Sequence, residues 1–304
     1  MTDRNTGIPL SDTDFDVSFY PEGGYALTGC QGRIAFMSMQ RDGTDINVTG
    51  SVYNRQGNEL TAFKTDVRGM GQFLITPEKG DRYYAICTDE KGRSKRFELP
   101  EAQEHGYSLT TAWRKDYLVV KALQAEPSKT GDTLCLIIHT RGIVQDIHII
   151  EDTGKEIYFP KDLFTSGVSA LLLLNSDMVP LSERLVFVNN NDQASVAGMA
   201  DKDIYTTRDS VAYTINITNE FDEPLWGNLS VSVTDDREVA VDTASNILTS
   251  LLLTSDLRGN LSDPAMFFNS AGALDLLMLT HGWRRYDTER ILRNDFMYPD
   301  TLIE

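Results

Sequence analysis

Residues 234–242, "TDDREVAVD", are the first candidate for binding chemistry, because they gather the aspartates Asp235, Asp236 and Asp242. Calcium ions in proteins are bound mainly by carboxylate and carbonyl oxygens of loop residues. The stretch is therefore a candidate calcium site. Its spacing does not match a helix-loop-helix calcium loop, and the alternative is a solvated turn.

A second candidate lies near the end of the sequence, in "LDLLMLTHGWRRYD". Apolar residues recur there at the spacing of an amphipathic helix, and the stretch ends in Trp283, Arg284, Arg285 and Tyr286. Tryptophan, tyrosine and arginine are enriched at the energetic hot spots of protein interfaces. Two interpretations stay open. The helix packs on the third predicted sandwich as an internal brace, or it docks onto a following domain or a partner.

Two further tryptophans, Trp113 and Trp226, lie near predicted turns. Aromatic rings on the loops of a β-sandwich are suited to stacking on sugars. The two residues are candidates for a glycan-binding surface, with ordinary packing as the alternative.

No residue pattern typical of catalysis or cofactor binding occurs in the sequence. A G-x-S-x-G nucleophile turn, an H-E-x-x-H zinc motif and a glycine-rich phosphate loop are all missing. The cysteines Cys30, Cys87 and Cys135 lie far apart and form no C-x-x-C pair, so we expect buried free thiols. The sequence predicts a protein that is not an enzyme, with no catalytic residues, no cofactor and no clear metal centre.

The charge of the chain excludes several classes of partner. The 304 residues include 45 acidic and 28 basic side chains, a formal net charge of -17. Such a field repels nucleic acids and anionic membrane surfaces. The apolar runs are too short for a membrane span, and the polar start does not resemble a signal peptide. We expect either a cytoplasmic protein or, favoured by the abrupt end, a fragment of a longer exported chain.

Alternating apolar residues predict β-strands through most of the chain, in blocks of the size of one β-sandwich. The predicted fold class is mainly β, with tandem immunoglobulin-like antiparallel sandwiches and a short helical C-terminal segment. In that segment, Asp263 is a predicted helix cap and Pro264 the first helical residue. The predicted division is a polar leader (1–14), two sandwiches (15–104 and 105–198), a third that is partial or carries a helical insertion (199–243) and the helical segment (244–304).

Several quoted motifs resemble a known family. "FYPEGGYALTGCQGRIAFMSMQRDG" and "GMGQFLITPEKGDRYYA" resemble the macroglobulin-type sandwich domains of bacterial surface proteins. "DIYTTRDSVAYTINITNEFDEPLWGNLSVSVTDD" resembles another domain of α2-macroglobulin-like chains. "ILTSLLLTSDLRGNLSDPAMFF" with "ALDLLMLTHGWRRYD" is similar to the segment that follows such domains in outer-membrane proteins of the TonB-dependent receptor type. The resemblance covers residues 15–292.

The resemblance implies a tandem array used for spacing and contact in a periplasmic or outer-membrane-associated parent. Protease trapping is not implied, because the family's Gly-Cys-Gly-Glu-Gln thioester segment is missing and "TGCQGR" around Cys30 does not match it. We expect a non-enzymatic interaction or spacer module. Its partners are other domains of the parent or envelope proteins, contacted through exposed strand edges. The alternative is a glycan- or peptide-binding module for nutrient uptake, and a degenerate protease inhibitor is disfavoured.

Overall fold

The computed structural model describes residues 14–126, 133–235, 237–240, 242–257, 259, 261–268 and 270–281. Antiparallel β-sheets dominate this part of the chain, and short helices follow at its C-terminal end.

The first seven strands form one sandwich. They are β1 (Phe15–Pro21), β2 (Gly32–Gln40), β3 (Val48–Tyr53), β4 (Glu59–Lys64), β5 (Met70–Ile75), β6 (Tyr84–Asp89) and β7 (Ser94–Glu98). One sheet has the order β1-β2-β5 and the other β4-β3-β6-β7. Alternate residues of both sheets point inward. Their core is built around the rings of Phe19, Phe36, Phe63 and Phe73, with the Phe36 and Phe63 centroids 4.7 Å apart.

The next seven strands form the second sandwich. They are β8 (Gly106–Arg114), β9 (Tyr117–Ala125), β10 (Leu134–Thr140), β11 (Ile143–Ile150), β12 (Glu156–Pro160), β13 (Gly167–Leu174) and β14 (Pro180–Val188). The two sheets run β12-β9-β8 and β11-β10-β13-β14. All of β13 is buried. Its Leu171 and Leu173 face the sandwich core, while Val168 and Ala170 pack under the C-terminal helices.

After the second sandwich come two strands that pair with each other, β15 (Ser195–Ala200) and β16 (Tyr213–Thr218). We call this pair the ribbon. Leu229, Val231 and Val233 alternate in the sequence, which predicts a strand over residues 229–233. That prediction was wrong, because no strand forms there and the three side chains are exposed. A strand is stable when its apolar side packs on another layer, and no such layer covers these residues in the described part of the chain.

The helical segment consists of α1 (Ile247–Thr249) with a following π-helical turn (Ser250–Thr254), α2 (Pro264–Phe268) and α3 (Ala271–Thr280). The predicted start of α2 is confirmed, because the Met266 amide donates to Asp263 Oδ1 at 3.3 Å. The described residues contain no helix that is long and apolar enough to cross a membrane.

Helix α3 braces the protein, but at a different place from the one predicted. It packs on β14 of the second sandwich and on β1, β2 and β5 of the first, and not on the ribbon. The reason is an apolar patch on the outer faces of these sheets, where Met70, Leu185 and Phe187 meet Leu274 and Leu277 of the helix. The fold class is confirmed: mainly β, with tandem immunoglobulin-like antiparallel sandwiches and a short helical C-terminal segment.

A turn of the first sandwich fills a seam in the second. Strands β8 and β14 are edge strands of opposite sheets, and the 3-10 turn Glu22–Gly24 lies against both. Ser108 Oγ donates to the Glu22 carbonyl at 2.8 Å, and Ser182 Oγ donates to the Gly23 carbonyl at 2.6 Å. The turn thereby satisfies polar groups at edges that would otherwise be buried without partners.

Gly23 is required in this seam. Its φ is +73°, in the left-handed region, and a Cβ there would lie 2.5 Å from Ser108 Oγ and 2.6 Å from the Leu109 amide nitrogen. Gly24 also has a positive φ, +97°, but open space surrounds its missing Cβ.

We expect Gly23→Ala to destabilise the protein more than Gly24→Ala. Both variants force alanine into the left-handed region, at about 1–2 kcal/mol. Gly23→Ala adds a collision in the seam, which we expect to cost about 1–3 kcal/mol more. Urea unfolding of the two variants measures the difference. Equal losses would show that the turn does not fit tightly between β8 and β14.

Candidate functional site

Four charged side chains form a closed ring at the point where both sandwiches and α3 meet. Glu22 comes from the 3-10 turn, Arg33 from β2, Arg184 from β14 and Asp275 from α3. Glu22 Oε1 lies 2.7 Å from Arg33 Nη2 and 2.9 Å from Arg184 Nε. Asp275 pairs with Arg33 Nη1 at 2.6 Å and with Arg184 Nη2. Positive and negative groups alternate, so the ring has no net charge. We call it the junction ring.

Backbone groups of β8 complete the junction ring. The Thr111 amide donates to Glu22 Oε1 at 3.0 Å, and Arg33 Nη2 donates to the Thr111 carbonyl at 3.2 Å. The second carboxylate oxygen of Glu22 accepts a bond from Arg33 Nε at 3.0 Å. Both oxygens of the carboxylate are therefore occupied, as a buried carboxylate requires.

Because part of the ring is buried, each of its charges needs its partners to offset the cost of removal from water. The Glu22 and Arg184 side chains are 3% and 2% exposed, whereas Arg33 and Asp275 reach the surface. Burial alone would lower the pKa of Arg33, but hydrogen bonds and charge from Glu22, with the charge of Asp275, outweigh it and raise that pKa. A buried ion pair gives little net stability over apolar packing, yet removal of one partner is costly. The ring therefore fixes the orientation of the two sandwiches and α3 relative to each other.

Sequence reasoning missed the junction ring, although signals for it were present. "PEGG", within the first stretch that resembles macroglobulin-type domains, contributes Glu22 and Gly23 to the junction. Arg184 follows Glu183 in the otherwise apolar "RLVFV", and Asp275 interrupts the apolar run of α3. A charge at a buried position is expensive unless it is paired, and neighbouring strand residues point to opposite faces, so Glu183 does not serve Arg184. Arg184 and Asp275 therefore each predict an opposite charge from elsewhere in the fold.

The ribbon is the second candidate site. Its register pairs Val196 with Ile217, Gly198 with Ile215 and Ala200 with Tyr213. Side chains that oppose each other, or lie two residues apart, share a face. One face therefore carries the apolar residues Val196, Ala200, Tyr213, Ile215 and Ile217. The other carries Ser195, Ala197, Met199, Thr214, Asn216 and Thr218.

The apolar face of the ribbon is partly open to solvent, with Ile215 and Ile217 half-buried. Val196 is 63% exposed and Tyr213 is 61% exposed. The two strands form a sheet of their own, with no further strand beside β15 among the described residues. An exposed, contiguous apolar face is typical of a surface that contacts another molecule or another domain.

The predicted aromatic candidates separate in the structure. Trp113 packs into the second sandwich, with its ring 6.0 Å from that of Phe164, and lines a cleft of about 310 Å³ beside Asp275. Trp226 is 100% exposed. Trp283, Arg284, Arg285 and Tyr286 lie outside the described residues, so their predicted role as a docking surface stays a prediction.

Two of the calcium candidates are engaged in local turns. Asp235 Oδ1 accepts from the Arg237 amide at 2.9 Å, and Asp242 accepts from the Ala244 amide at 2.8 Å. The Ser245 hydroxyl and nearby amides lower the pKa of Asp242. Asp236 lies outside the described residues. Within the described part of the chain, no three His, Cys, Asp or Glu side chains are grouped to hold a metal ion.

Burial shifts the pKa values of the cysteines and of two histidines in the direction that favours the uncharged form. All three cysteines are free thiols, but Cys87 alone is buried, while Cys30 and Cys135 are partly exposed. Burial raises the pKa of Cys87 to about 12 and also raises the pKa values of the other two. Reactive cysteines instead have lowered pKa values. Burial lowers the pKa values of His139 and His281.

Comparison with known proteins gives no family. No family model matches the chain, and no curated protein matches it. Among solved structures, it is similar to invasin, a bacterial integrin-binding protein, at 12% identity and a TM-score of 0.24. That match covers 68% of this chain and 57% of the invasin chain, so less than two thirds of invasin is matched. The central fibronectin-III array of RIM-binding protein matches at 11% identity and a TM-score of 0.22, over 66% of this chain and 79% of that one.

We expect Arg184→Ala to lower the free energy of unfolding by about 3–5 kcal/mol, because it leaves the Glu22 carboxylate buried with one arginine fewer. The matched control is Arg114→Ala. Arg114 makes a 2.7 Å pair with Glu156 at the surface, where its side chain is 55% exposed. Exposed pairs contribute little, so this variant should unfold at nearly the wild-type urea concentration. Similar losses in both variants would contradict the role of the junction ring.

Proposed function

We propose that this chain is a non-enzymatic interaction and spacer module. The observation that carries the proposal is the ribbon, which has one apolar and one polar face like a sandwich sheet, and whose apolar face is partly open to solvent. A sheet of this kind gains stability by packing on a second layer. The ribbon is therefore the contact surface of the module.

The two sandwiches supply the spacing. The junction ring and α3 join them into one unit, because each of the four charges belongs to a different strand, turn or helix. Domains joined by a flexible linker move independently unless a substantial interface holds them. In this module the buried ring and the apolar patch under α3 provide that interface.

We further propose that the sandwiches are macroglobulin-type domains of a larger bacterial envelope protein. The parent would be periplasmic or associated with an outer-membrane receptor of the TonB-dependent type. Support comes from the motif resemblance, and two of those motifs occupy positions on which the fold depends. "PEGG" fills the seam, and Gly71 of "GMGQF" leaves room for the ring of Phe36, whose Cζ would lie 2.6 Å from a Cβ there.

The test uses two variants that each add two carboxylates to the ribbon. Ile215→Asp with Ile217→Asp alters the apolar face, and Thr214→Asp with Asn216→Asp alters the polar face. If the apolar face is the contact surface, the first pair should reduce cosedimentation of the chain with bacterial envelope fractions at least about tenfold. The second pair should have little effect.

Thermal unfolding of the two sandwiches should be the same in both variants, since the ribbon lies outside their cores. Equal cosedimentation of the two variants would show that the ribbon is not the contact surface. If the wild-type chain did not cosediment at all, the proposed place in the envelope would be wrong.

A second candidate function, glycan binding, is favoured by one observation. The Trp226 ring is fully exposed, as a stacking platform for a sugar requires. If the module binds glycans, a soluble oligosaccharide from a glycan panel should change the Trp226 fluorescence, and Trp226→Ala should abolish its binding. Trp113→Phe is the control, since Trp113 is packed on Phe164. Binding that survives Trp226→Ala would rule out this platform.

A further inference from the structure

We propose that the partner of the ribbon is a β-element with an apolar face and basic ends, and that residues 225–233 become a third strand of the ribbon as this partner binds. The inference rests on the proposed function and names the chemistry of its partner. The evidence is the pairing register with which the chain turns back along β16 after Thr218.

The residues just before and at the start of this third strand, Pro224 and Leu225, already pair with β16 in the structure. Asn219 organises the turn after β16, with its side-chain oxygen accepting from the Phe221 and Glu223 amides at 3.0 Å and 2.9 Å. The chain then returns beside β16. Thr218 forms a bridge with Pro224, and the Leu225 amide donates to the Ile217 carbonyl at 2.9 Å. Beyond Leu225 no ladder with β16 is formed within the described residues.

Continuing this register gives a consistent sheet. In an antiparallel pair, each step forward on one strand is a step back on the other, so Leu229 would oppose Tyr213 and Val231 would oppose Val211. These side chains would all lie on the apolar face of the ribbon. Trp226 would oppose Asn216 on the polar face. The alternation of Leu229, Val231 and Val233 in the sequence therefore fits the ribbon, although the strand is absent.

What the third strand lacks is a layer to pack on. Leu229, Val231 and Val233 are 54%, 68% and 92% exposed. Ordering the backbone of one residue costs about 1–2 kcal/mol. Hydrogen bonds to a neighbouring strand do not offset this cost unless apolar area is also buried. A partner that covers the apolar face supplies this burial. Binding and formation of the strand are therefore coupled.

The charges around the ribbon indicate which partner fits. Residues 195–235 contain seven acidic and two basic side chains, a net charge of -5. The acids lie at both ends of the ribbon: Glu220, Asp222 and Glu223 in the turn after β16, and Asp201, Asp203 and Asp209 in the loop between its strands, which also carries both basic residues, Lys202 and Arg208. A partner with basic residues at the ends of its strands is complementary to this arrangement.

A second copy of the chain does not fit. Its ribbon would bring the same acidic ends, and the whole chain has a net charge of -17. Like charges brought together at an interface oppose association. The apolar face therefore selects a different molecule, one with an apolar sheet face and positive ends.

The test uses the full chain and a synthetic, disulfide-closed β-hairpin peptide with valines on one face, threonines on the other and lysines at both ends. Hydrogen exchange measured by mass spectrometry follows the amides of residues 225–233. We expect their exchange to slow by about tenfold or more when the peptide is added at low salt, since the strand then forms. The protection should decrease at high salt, because the charges involved are at the surface.

Two control peptides and two variants make the result specific. A hairpin with glutamates in place of the lysines, and one with serines in place of the valines, should give no protection. Ile215→Asp should abolish protection by the lysine hairpin, and Thr214→Asp should not. Exchange of the β15 and β16 amides without peptide shows whether the ribbon itself is intact in each variant.

Absence of protection in the wild-type chain with the lysine hairpin would overturn the inference. So would equal protection by the glutamate hairpin, or dimerisation of the chain alone in sedimentation experiments. These outcomes are distinct from failure of the proposed function. Loss of cosedimentation in the Ile215→Asp/Ile217→Asp variant, without protection by the hairpin, would leave the ribbon as a contact surface with a partner of another kind.

Discussion

The carboxylate of Glu22 is buried between two β-sandwiches, where two arginines and a backbone amide surround it. Each arginine also pairs with Asp275 of α3, so the charge of the group is balanced within it. This arrangement imposes a strict requirement on the fold, because buried charges are tolerated only with good geometry and with every partner in place. The rest of the architecture meets this requirement. The turn Glu22–Gly24 enters the seam, β14 places Arg184 beside Glu22, and α3 lies across both sandwiches so that Asp275 reaches both arginines.

The position of α3 shows how a local constraint affects the whole chain. Its apolar side chains would pack on many surfaces, since hydrophobic burial is not directional. Asp275 is different, because it is positioned by two guanidinium groups. The helix is therefore held in one orientation on the outer faces of β14 and of the first sandwich, and the part of the chain that includes the ribbon is attached to a rigid base.

Much of the fold could be predicted from the sequence, and the exceptions have physical reasons. Alternating apolar residues predicted the strands of the two sandwiches, and Asp263-Pro264 predicted the start of α2, because both signals depend only on residues close together in the sequence. The residues 229–233 show the same alternation without a strand, since a pattern records which face is apolar and not whether anything covers it. The junction ring brings together residues up to 253 positions apart, Glu22 and Asp275, and a single sequence contains no signal that pairs them. Trp113 and Trp226 looked alike as candidates, and only their burial separates them.

The central claim is that the junction ring holds the two sandwiches as one rigid unit. The most direct measurement is a distance distribution between spin labels, one at Lys91→Cys in the first sandwich and one at Lys155→Cys in the second, with Cys30 and Cys135 replaced by serine. Both lysines are exposed and lie outside the ring. The account predicts one narrow distribution of distances between the labels. The distribution should broaden when the Arg184→Ala substitution is introduced, provided that the variant is still folded. A broad distribution with the ring intact would show that the sandwiches move independently and would contradict the account.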